Sequence, residues 1–249
     1  MGSYLNPGAL LMLVPSWALL DLHVILSYQQ VILSIAKDLI KRILRSCDME
    51  PIFIGITGTS GAGKTTLCES LRKAHPEKIG MIQLDDYFKP SELVPDFAGH
   101  KNWDDPAALY LDRLKEDLLN LKQGRSIVAM TKNASRNPEY KKTQQRIPST
   151  FEPFPIMLVE GFLVLQDSSI RACLDRSIWL ELEFEKGWSR RTHFKDDGYQ
   201  ANVFEPMYAK HVLPTKNYAT EVLDVGDLNP DQVSETVFKQ INIWFKGIY

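Results

Sequence analysis

Short apolar runs alternate with amphipathic segments along most of the chain. Six runs have the length and β-branched content of buried strands, at residues 52–57, 79–84, 126–130, 156–165, 178–182 and 221–225. Apolar residues recur at helical spacing in four segments, at 64–74, 106–122, 203–213 and 231–246. Solidly apolar strands that alternate with helices are typical of a parallel sheet covered on both faces. The pattern therefore predicts an α/β fold.

The segment 106–122 gives the clearest helical signal. Asp105 can cap its start, Pro106 suits a first turn and Gly124 can end it. A leucine stripe at helical spacing supplies the buried face; it consists of Leu111, Leu114, Leu118 and Leu121.

The first 48 residues follow a different pattern. Residues 1–20 carry no charge and the first lysine is Lys37, so the positive start of a secretory signal is missing. Residues 24–44 repeat apolar positions at helical spacing and end in basic residues, which predicts an amphipathic helix. The stretch "VILSIAKDLIKRILRSCD" also resembles peptides that arise when a bacterial intergenic repeat is read as coding sequence. Two interpretations stay open: a start-site artefact before a working protein that starts at Met49, or a weak membrane-surface helix.

Composition narrows the class of protein. The 249 residues are 44% hydrophobic and carry a net charge of −2, which disfavours a nucleic-acid coat or a basic membrane surface. Cys47, Cys68 and Cys173 stand at unrelated spacings, so neither a disulfide framework nor a zinc site is predicted. We expect a cytoplasmic protein, with ordinary thiols and no stable membrane association, that acts on a small molecule and can form a homo-oligomer. The predicted organisation is an N-terminal extension, 1–48, and one domain, 49–249.

A phosphate-binding motif follows the first predicted strand. The stretch "GTSGAGKT" fits G-x-x-x-x-G-K-[ST] between a strand and a helix, as the motif requires. Glycines let backbone N–H groups wrap around phosphate oxygens, and the following helix presents its positive end. Lys64 is expected to reach the β- and γ-phosphates of ATP, and the Thr65 hydroxyl to bind Mg²⁺. The predicted ATP-binding residues are Gly58, Thr59, Ser60, Gly61, Ala62, Gly63, Lys64, Thr65 and Thr66.

Two further strands end in carboxylates. The stretch "QLDDYFKP" closes the second predicted strand, where a carboxylate can accept the proton of a substrate hydroxyl. An aspartate pair in a solvated, helix-capping turn is the alternative. Glu160 ends an apolar run before Gly161, which suits a carboxylate aimed at the Mg²⁺ shell; a bulge without function is the other interpretation.

Together these segments resemble the uridine kinase and phosphoribulokinase group of P-loop kinases, which includes the nicotinamide riboside kinases. The similar segments, in order, are "GITGTSGAGKTTL", "LDDYFKP", "NWDDPAAL", "VEGFLVL" and "VFEPMYAKHVLPTKNYA". The resemblance covers about residues 52–225 and implies a P-loop sheet with a small lid. It assigns the catalytic base to Asp85, the ribose anchor to Asp104 and a metal role to Glu160. It also places Tyr87 and Phe88 beside the substrate.

The sequence departs from the uridine kinases in two places. The tyrosine and histidine that contact the base there have no clear counterpart in "MTKNASRNPEYKKTQQR", where Arg136 and Tyr140 are the nearest candidates. The lid stretch "EKGWSRRTHFKDDGYQ" is short but supplies Arg190 and Arg191. Guanidinium groups there can stabilise the transferring phosphoryl group and exclude water. Both departures are shifts toward the nicotinamide riboside kinases.

The predicted activity is transfer of the γ-phosphate of ATP, with Mg²⁺, to the primary hydroxyl of a uridine- or cytidine-type nucleoside. A nicotinamide riboside kinase, or a kinase of another small alcohol such as pantothenate, is the alternative within the enzymes. A nucleotide-binding regulatory switch is the alternative from another class. A switch needs no second polar pocket, so Asp85 together with Asp104 argues against it.

Overall fold

The structure, a computed structural model, describes residues 24, 27–29, 31–33, 50–190 and 198–246. The chain divides into two units, Met1–Met49 and Glu50–Tyr249. In the first unit, the described residues 24, 27–29 and 31–33 are helical, and the rest of the helix predicted at 24–44 lies outside the described residues. Among the described residues, no helix has the length and apolar character needed to cross a membrane.

The second unit is built on a parallel sheet. The strands of residues 50–190 and 198–246 are β1 (Ile52–Gly58), β2 (Ile79–Gln83), β3 (Asp96–Phe97), β4 (His100–Lys101), β5 (Ile127–Thr131), β6 (Ile147–Phe151), β7 (Ile156–Glu160), β8 (Arg176–Glu181) and β9 (Glu221–Asp224). The parallel sheet has the strand order β2-β7-β1-β8-β9. Two small antiparallel hairpins, β3–β4 and β5–β6, lie outside this sheet.

Helices cover both faces of the sheet. The α-helices of the same residues are α1 (Lys64–Ala74), α2 (Leu111–Lys122), α3 (Tyr140–Thr143), α4 (Ser168–Arg171), α5 (Phe184–Ser189), α6 (Glu205–Met207) and α7 (Pro230–Trp244). Wider π-helical turns at Gln200–Phe204 and Tyr208–Val212 flank α6, and a 3-10 segment, Leu213–Tyr218, follows.

Alternate residues of each central strand point to opposite faces and enter separate cores. Ile54 and Ile56 of β1 pack with Leu71 of α1 and Ile241 of α7. Phe53, the residue before Ile54, packs on the other face with Leu118 of α2. β1 is buried along its whole length, which explains why its sequence is apolar without alternation. The predicted α/β fold is confirmed.

One predicted strand has a different place from its neighbours. Residues 126–130 were expected in the parallel sheet, but β5 forms an antiparallel hairpin with β6. Its residues alternate between buried and exposed, with Val128 and Met130 turned to solvent. The apolar run predicted over 156–165 is also split, because the strand ends at Glu160 and residues 161–165 turn away.

The helix predicted at 106–122 begins at Leu111 instead. Asp105 does cap a turn, accepting from the Ala107 N–H, but that turn is the short 3-10 segment Pro106–Ala108. Leu109 is then extended, and the Tyr110 N–H donates to the Tyr87 carbonyl. This pairing with a distant segment overrides the local helical preference.

Candidate active site

The phosphate loop lies between β1 and α1, as the motif predicts. Gly58, Gly61 and Gly63 have φ of 126°, 79° and 86°, a region that residues with a Cβ rarely occupy. The Lys64 ammonium donates to the carbonyls of Gly58 (3.1 Å) and Thr59 (3.0 Å) and so lies over the loop. No side chain caps α1, and its first turn holds no acidic residue, so the positive helix end suits an anion.

Asp85 and Asp86 follow β2 in a 3-10 turn and have opposite environments. The Asp85 side chain is 43% exposed, and its carboxylate lies 2.8 Å from the Lys132 ammonium. Asp86 is buried and accepts from the Thr131 hydroxyl (2.7 Å) and the Lys132 N–H (2.9 Å). Burial raises the pKa of Asp86, although these hydrogen bonds oppose the shift. Asp85 therefore presents a carboxylate to the cavity, whereas Asp86 fixes the turn.

Arg146, near the start of β6, holds the same turn from outside. Its guanidinium donates to the carbonyls of Asp85 (3.1 Å), Asp86 (3.1 Å) and Phe88 (3.0 Å). Three backbone acceptors from one segment fix the Asp85 main chain relative to the β5–β6 hairpin.

Glu160 lies at the end of β7, level with Gln83 of β2 and Ile56 of β1. It is buried and accepts from the Gln83 amide (3.3 Å), and the nearby Thr65 side chain acts to lower its pKa. Burial, with Asp85 as the second cause, raises the pKa of Glu160 to about 7, while Lys64 acts in the opposite direction. A Cβ on Gly161 would lie 2.3 Å from the Leu84 Cβ, so a glycine is required immediately after this carboxylate.

The Thr65 hydroxyl and the Glu160 carboxylate supply oxygen donors side by side next to the phosphate loop. Mg²⁺ prefers such oxygens and commonly takes one or two from protein and the rest from phosphates and water. Within the described part of the chain, no three His, Cys, Asp or Glu side chains form a metal cluster. The residues present fit a nucleotide-bound Mg²⁺ rather than an ion held by protein ligands alone.

Asp104 lies in the loop before the 3-10 segment Pro106–Ala108 and is buried. The Tyr199 hydroxyl donates to its Oδ2 at 2.7 Å and in turn accepts from the Trp103 N–H at 3.2 Å. The Trp103 ring meets Phe88 edge-on, with centroids 5.6 Å apart. A carboxylate among aromatic rings can bind sugar hydroxyls while the rings contact a base.

The predicted lid residues divide between described and undescribed parts of the chain. Arg190 follows α5, and its guanidinium donates to the Gly61 carbonyl at 3.3 Å. Arg191 lies outside the described residues. A Cβ on Gly187 of α5 would lie only 2.3 Å from the Ser60 carbonyl oxygen, so α5 is packed directly on the phosphate loop.

These groups line one cavity of about 960 Å³. The phosphate loop follows the central strand β1, and the turn with Asp85 follows β2 at one edge of the sheet. Val225 follows β9 at the other edge and begins an apolar wall. The cavity thus has a carboxylate-rich end and an apolar end on either side of the loop. The lining residues of the carboxylate-rich end are Asp85, Phe88, Trp103, Asp104, Lys132, Tyr140, Arg146, Phe162 and Tyr199; those of the apolar end include Val225, Leu228, Pro230 and Val233.

Most of the predicted site residues that the structure describes line this cavity, but three of them do not. Arg136, predicted to contact the substrate, donates to Ser149 and Thr150 and packs on the Phe151 ring. Tyr87 is buried in the core and donates to Asp117 at 2.8 Å. Thr59 is buried beside the Tyr208 hydroxyl at 3.3 Å. The substrate contacts of Arg136 and Tyr87 stay predictions, and neither side chain lines the cavity.

Sequence reasoning missed Lys132, Arg146 and Tyr199. The first two flank the tip of a hairpin whose pairing is not visible as a local pattern. Tyr199 is the second-last residue of the lid stretch and lies 95 residues from Asp104 in the sequence. An apolar run ending in a polar cluster at Thr131–Asn133 was the one available signal.

The fold and the site together define a P-loop phosphotransferase: a phosphate loop after β1, a buried glutamate on the neighbouring strand and a second polar pocket beyond them. The sequence model of the Phosphoribulokinase / Uridine kinase family matches residues 53–229. The chain belongs to this family and is a kinase, which confirms the predicted resemblance.

Individual relatives agree with the family match. A uridine kinase of Streptococcus gordonii is 31% identical over 191 residues, which are 72% of this chain and 89% of the relative. A uridine kinase of Brevibacillus brevis is 30% identical over 194 residues, with 72% and 87% covered. The solved structure of a possible uridine kinase from Bacillus stearothermophilus superposes with a TM-score of 0.50 at 16% identity, covering 75% of this chain and 96% of its own. This last likeness concerns the fold alone.

Proposed function

We propose that the chain transfers the γ-phosphate of ATP to the primary hydroxyl of a nucleoside of the uridine or cytidine type. One observation supports this most: a single cavity joins the phosphate loop to a second polar end that holds Asp85 and Asp104. A hydrolase or switch needs only the first part. The relatives named as uridine kinases favour a pyrimidine nucleoside as the acceptor.

The proposed division of work follows the geometry. The loop N–H groups and Lys64 hold the phosphates, and Thr65 and Glu160 hold Mg²⁺, which would neutralise charge on the phosphates when bound. Asp85 accepts the proton of the acceptor hydroxyl, and Lys132 beside it orients the carboxylate. Asp104 binds ribose hydroxyls in exchange for the Tyr199 hydroxyl. Arg190 lies next to the phosphate loop and can turn to the transferring phosphoryl group.

A second acceptor, nicotinamide riboside, is favoured by the shape of the carboxylate-rich end. The β5–β6 hairpin contributes Lys132, Tyr140 and Arg146 to the cavity, and residues 127–151 contain no histidine. Aromatic faces from Trp103 and Tyr199 suit a cationic pyridinium ring, because ring quadrupoles attract cations.

The test is an acceptor panel with Mg²⁺·ATP: uridine, cytidine, nicotinamide riboside, pantothenate and no acceptor. We expect ADP to form only with a nucleoside and the product to be its 5′-monophosphate, identified by mass spectrometry. Lys64→Ala should abolish transfer, whereas Lys73→Ala, an exposed lysine of α1, should leave it unchanged. ADP formation that ignores the acceptor, or near-normal turnover in Lys64→Ala, would refute the proposal.

A further inference from the structure

A chain of hydrogen bonds runs from the loop after β5 to the buried carboxylate of Glu160. The Gln83 amide nitrogen donates to Glu160 Oε2 at 3.3 Å, and the Gln83 amide oxygen accepts from Asn133 Nδ2. Asn133 Nδ2 also donates to Glu69 Oε1 at 2.8 Å. The other Glu69 oxygen accepts from Arg72 at 2.7 Å. Asn133 thus joins α1, which carries Thr65, to β2, whose Gln83 is paired with Glu160 of β7.

The direction of this chain is fixed at its outer end. The Ser135 backbone N–H donates to Asn133 Oδ1 at 2.9 Å, and a backbone N–H can only donate. Asn133 must therefore turn its NH₂ group inward, toward Gln83 and Glu69. Gln83 must then offer its carbonyl oxygen to Asn133 and its NH₂ group to Glu160. The side-chain amides of Asn133 and Gln83 therefore each have one orientation that satisfies all of their hydrogen-bond partners.

The donor at Glu160 matters because the carboxylate is buried. The hydrogen bond to Oε2 fixes the plane of the carboxylate and leaves its other oxygen for further partners. A reversed Gln83 amide would instead present an oxygen to Glu160 and repel it. The orientation of Asn133 therefore decides whether Glu160 is set up as a ligand.

We propose that Asn133 is a positioning residue for Mg²⁺ binding, acting through Gln83 on Glu160. The inference rests on the proposed function, in which Glu160 and Thr65 hold the ion. The residue next to Asn133, Lys132, pairs with Asp85 at 2.8 Å. One turn of the hairpin thereby sets both carboxylates that face the phosphate loop.

The test replaces Asn133 with the isosteric aspartate. Asn133→Asp removes the NH₂ group, so Gln83 loses its donor and its amide turns round. In the wild type, Mg²⁺ should increase the affinity of the protein for a non-hydrolysable β,γ-imido ATP analogue. We expect this increase to be smaller in Asn133→Asp by about 10-fold or more, the usual scale for a lost outer partner of a metal ligand. Affinity for the same analogue in EDTA should stay within about twofold. Titration calorimetry measures both without any acceptor or turnover.

A charge control, a double variant and a second substitution of Asn133 make the result specific. Asn120→Asp makes the same change of charge on α2, where Oδ1 still accepts from Arg125, and should keep the full Mg²⁺ gain. In a Gln83→Met background, Asn133→Asp should reduce the Mg²⁺ gain by less than a further twofold, because the hydrogen bonds that link Asn133 to Glu160 are already lost. Asn133→Ser, which removes the amide without adding charge, should also reduce the Mg²⁺ gain and serves if the aspartate variant does not fold.

The inference would be overturned by equal losses of analogue affinity in Mg²⁺ and in EDTA, or by an undiminished Mg²⁺ gain in both Asn133 variants. It would also be overturned if the effects of Asn133→Asp and Gln83→Met on the Mg²⁺ gain were fully additive. A wild-type chain that gains nothing from Mg²⁺ would also overturn it. The calorimetric measurement contains no acceptor. A failed acceptor panel would therefore refute the proposed function, but the effect of Asn133 on Mg²⁺ binding could still be interpreted.

Discussion

Neighbouring carboxylates in this site differ because of what surrounds each one. Asp85 faces the cavity beside Lys132, whereas Asp86 accepts two hydrogen bonds from the end of β5 and holds the turn. Asp104 is buried about twenty residues further on and is satisfied by Tyr199. We therefore expect substitutions of these carboxylates to have different effects on the reaction.

Asp85 and Asp104 should affect different kinetic constants. Asp85→Asn should lower kcat by about 10²-fold or more, the scale of general-base assistance, with KM for ATP little changed. Asp104→Ala should mainly raise KM for the nucleoside, because a buried substrate hydroxyl loses its partner at a cost of about 1–3 kcal/mol. Steady-state kinetics with each substrate varied in turn measure both, with the exposed Asp96→Asn as control. Equal losses in both variants, or a defect confined to ATP affinity, would contradict these assignments.

Glu160 should make the stability of the free protein depend on pH. Burial raises its pKa from an ordinary 4.5 to about 7, so the folded state holds the proton more tightly than the unfolded state. The stabilisation from the protonated form is present below pH 4.5 and is lost as pH rises to 7, by about 3 kcal/mol in total.

In Glu160→Gln the side chain cannot ionise, so this variant should not lose stability in this way as the pH rises. In urea unfolding without Mg²⁺ or nucleotide, the variant should gain stability relative to the wild type between pH 5 and pH 8. Glu183→Gln, an exposed glutamate, should show no such gain. Parallel pH profiles for wild type and Glu160→Gln would mean that Glu160 is already ionised in the free protein.

At the scale of elements, two segments outside the parallel sheet complete the site. The β5–β6 hairpin brings Lys132, Tyr140 and Arg146 to the carboxylate-rich end of the cavity. Helix α5 lies against the phosphate loop at Gly187, with the Arg190 guanidinium on the Gly61 carbonyl. Each contact joins segments that are far apart in the sequence, so neither is visible in local patterns.

Gly187→Ala should disturb the nucleotide side of the site. The added Cβ would lie 2.3 Å from the Ser60 carbonyl oxygen, so either α5 or the loop must move, at a cost of about 1–3 kcal/mol. We expect KM for ATP to rise several-fold while KM for the nucleoside stays nearly constant. Ser189→Ala, two residues further along α5, is the control. Unchanged ATP kinetics with normal stability would show that the loop does not depend on this contact.

At the scale of the whole molecule, the parallel sheet places the carboxyl ends of its strands on the same side of the domain. β1 pairs with β7 and β8, at residues 156–160 and 176–180, so the partners that fix the phosphate loop lie downstream of it. The cavity-lining residues likewise fall within 58–233.

A chain that starts at Met49 should therefore fold and keep its kinase activity. Circular dichroism should show a melting temperature within a few degrees of the full chain, and the acceptor panel should give the same products. An insoluble or inactive truncation would show that residues 1–48 are needed for the stability of the domain.

Local sequence was sufficient for the phosphate loop and its flanks. Glycines at 58, 61 and 63 and the Lys64-Thr65 pair act through the backbone conformation of one continuous segment, which neighbouring residues dictate. The strands of the parallel sheet were also predictable, because burial on both faces leaves an apolar run in the sequence.

The start of α2, the β5–β6 hairpin and the partners of the carboxylates were decided only in the tertiary structure. Tyr110 pairs with Tyr87 instead of continuing a helix, and Arg136 packs on Phe151 instead of reaching the cavity. Lys132 meets Asp85, and Tyr199 meets Asp104, across 47 and 95 residues of chain. Side-chain roles of this kind depend on which residues long-range packing brings within hydrogen-bond distance. The sequence by itself determined the phosphate-loop motif and its backbone, and the folded chain decided which groups line the carboxylate-rich end of the cavity.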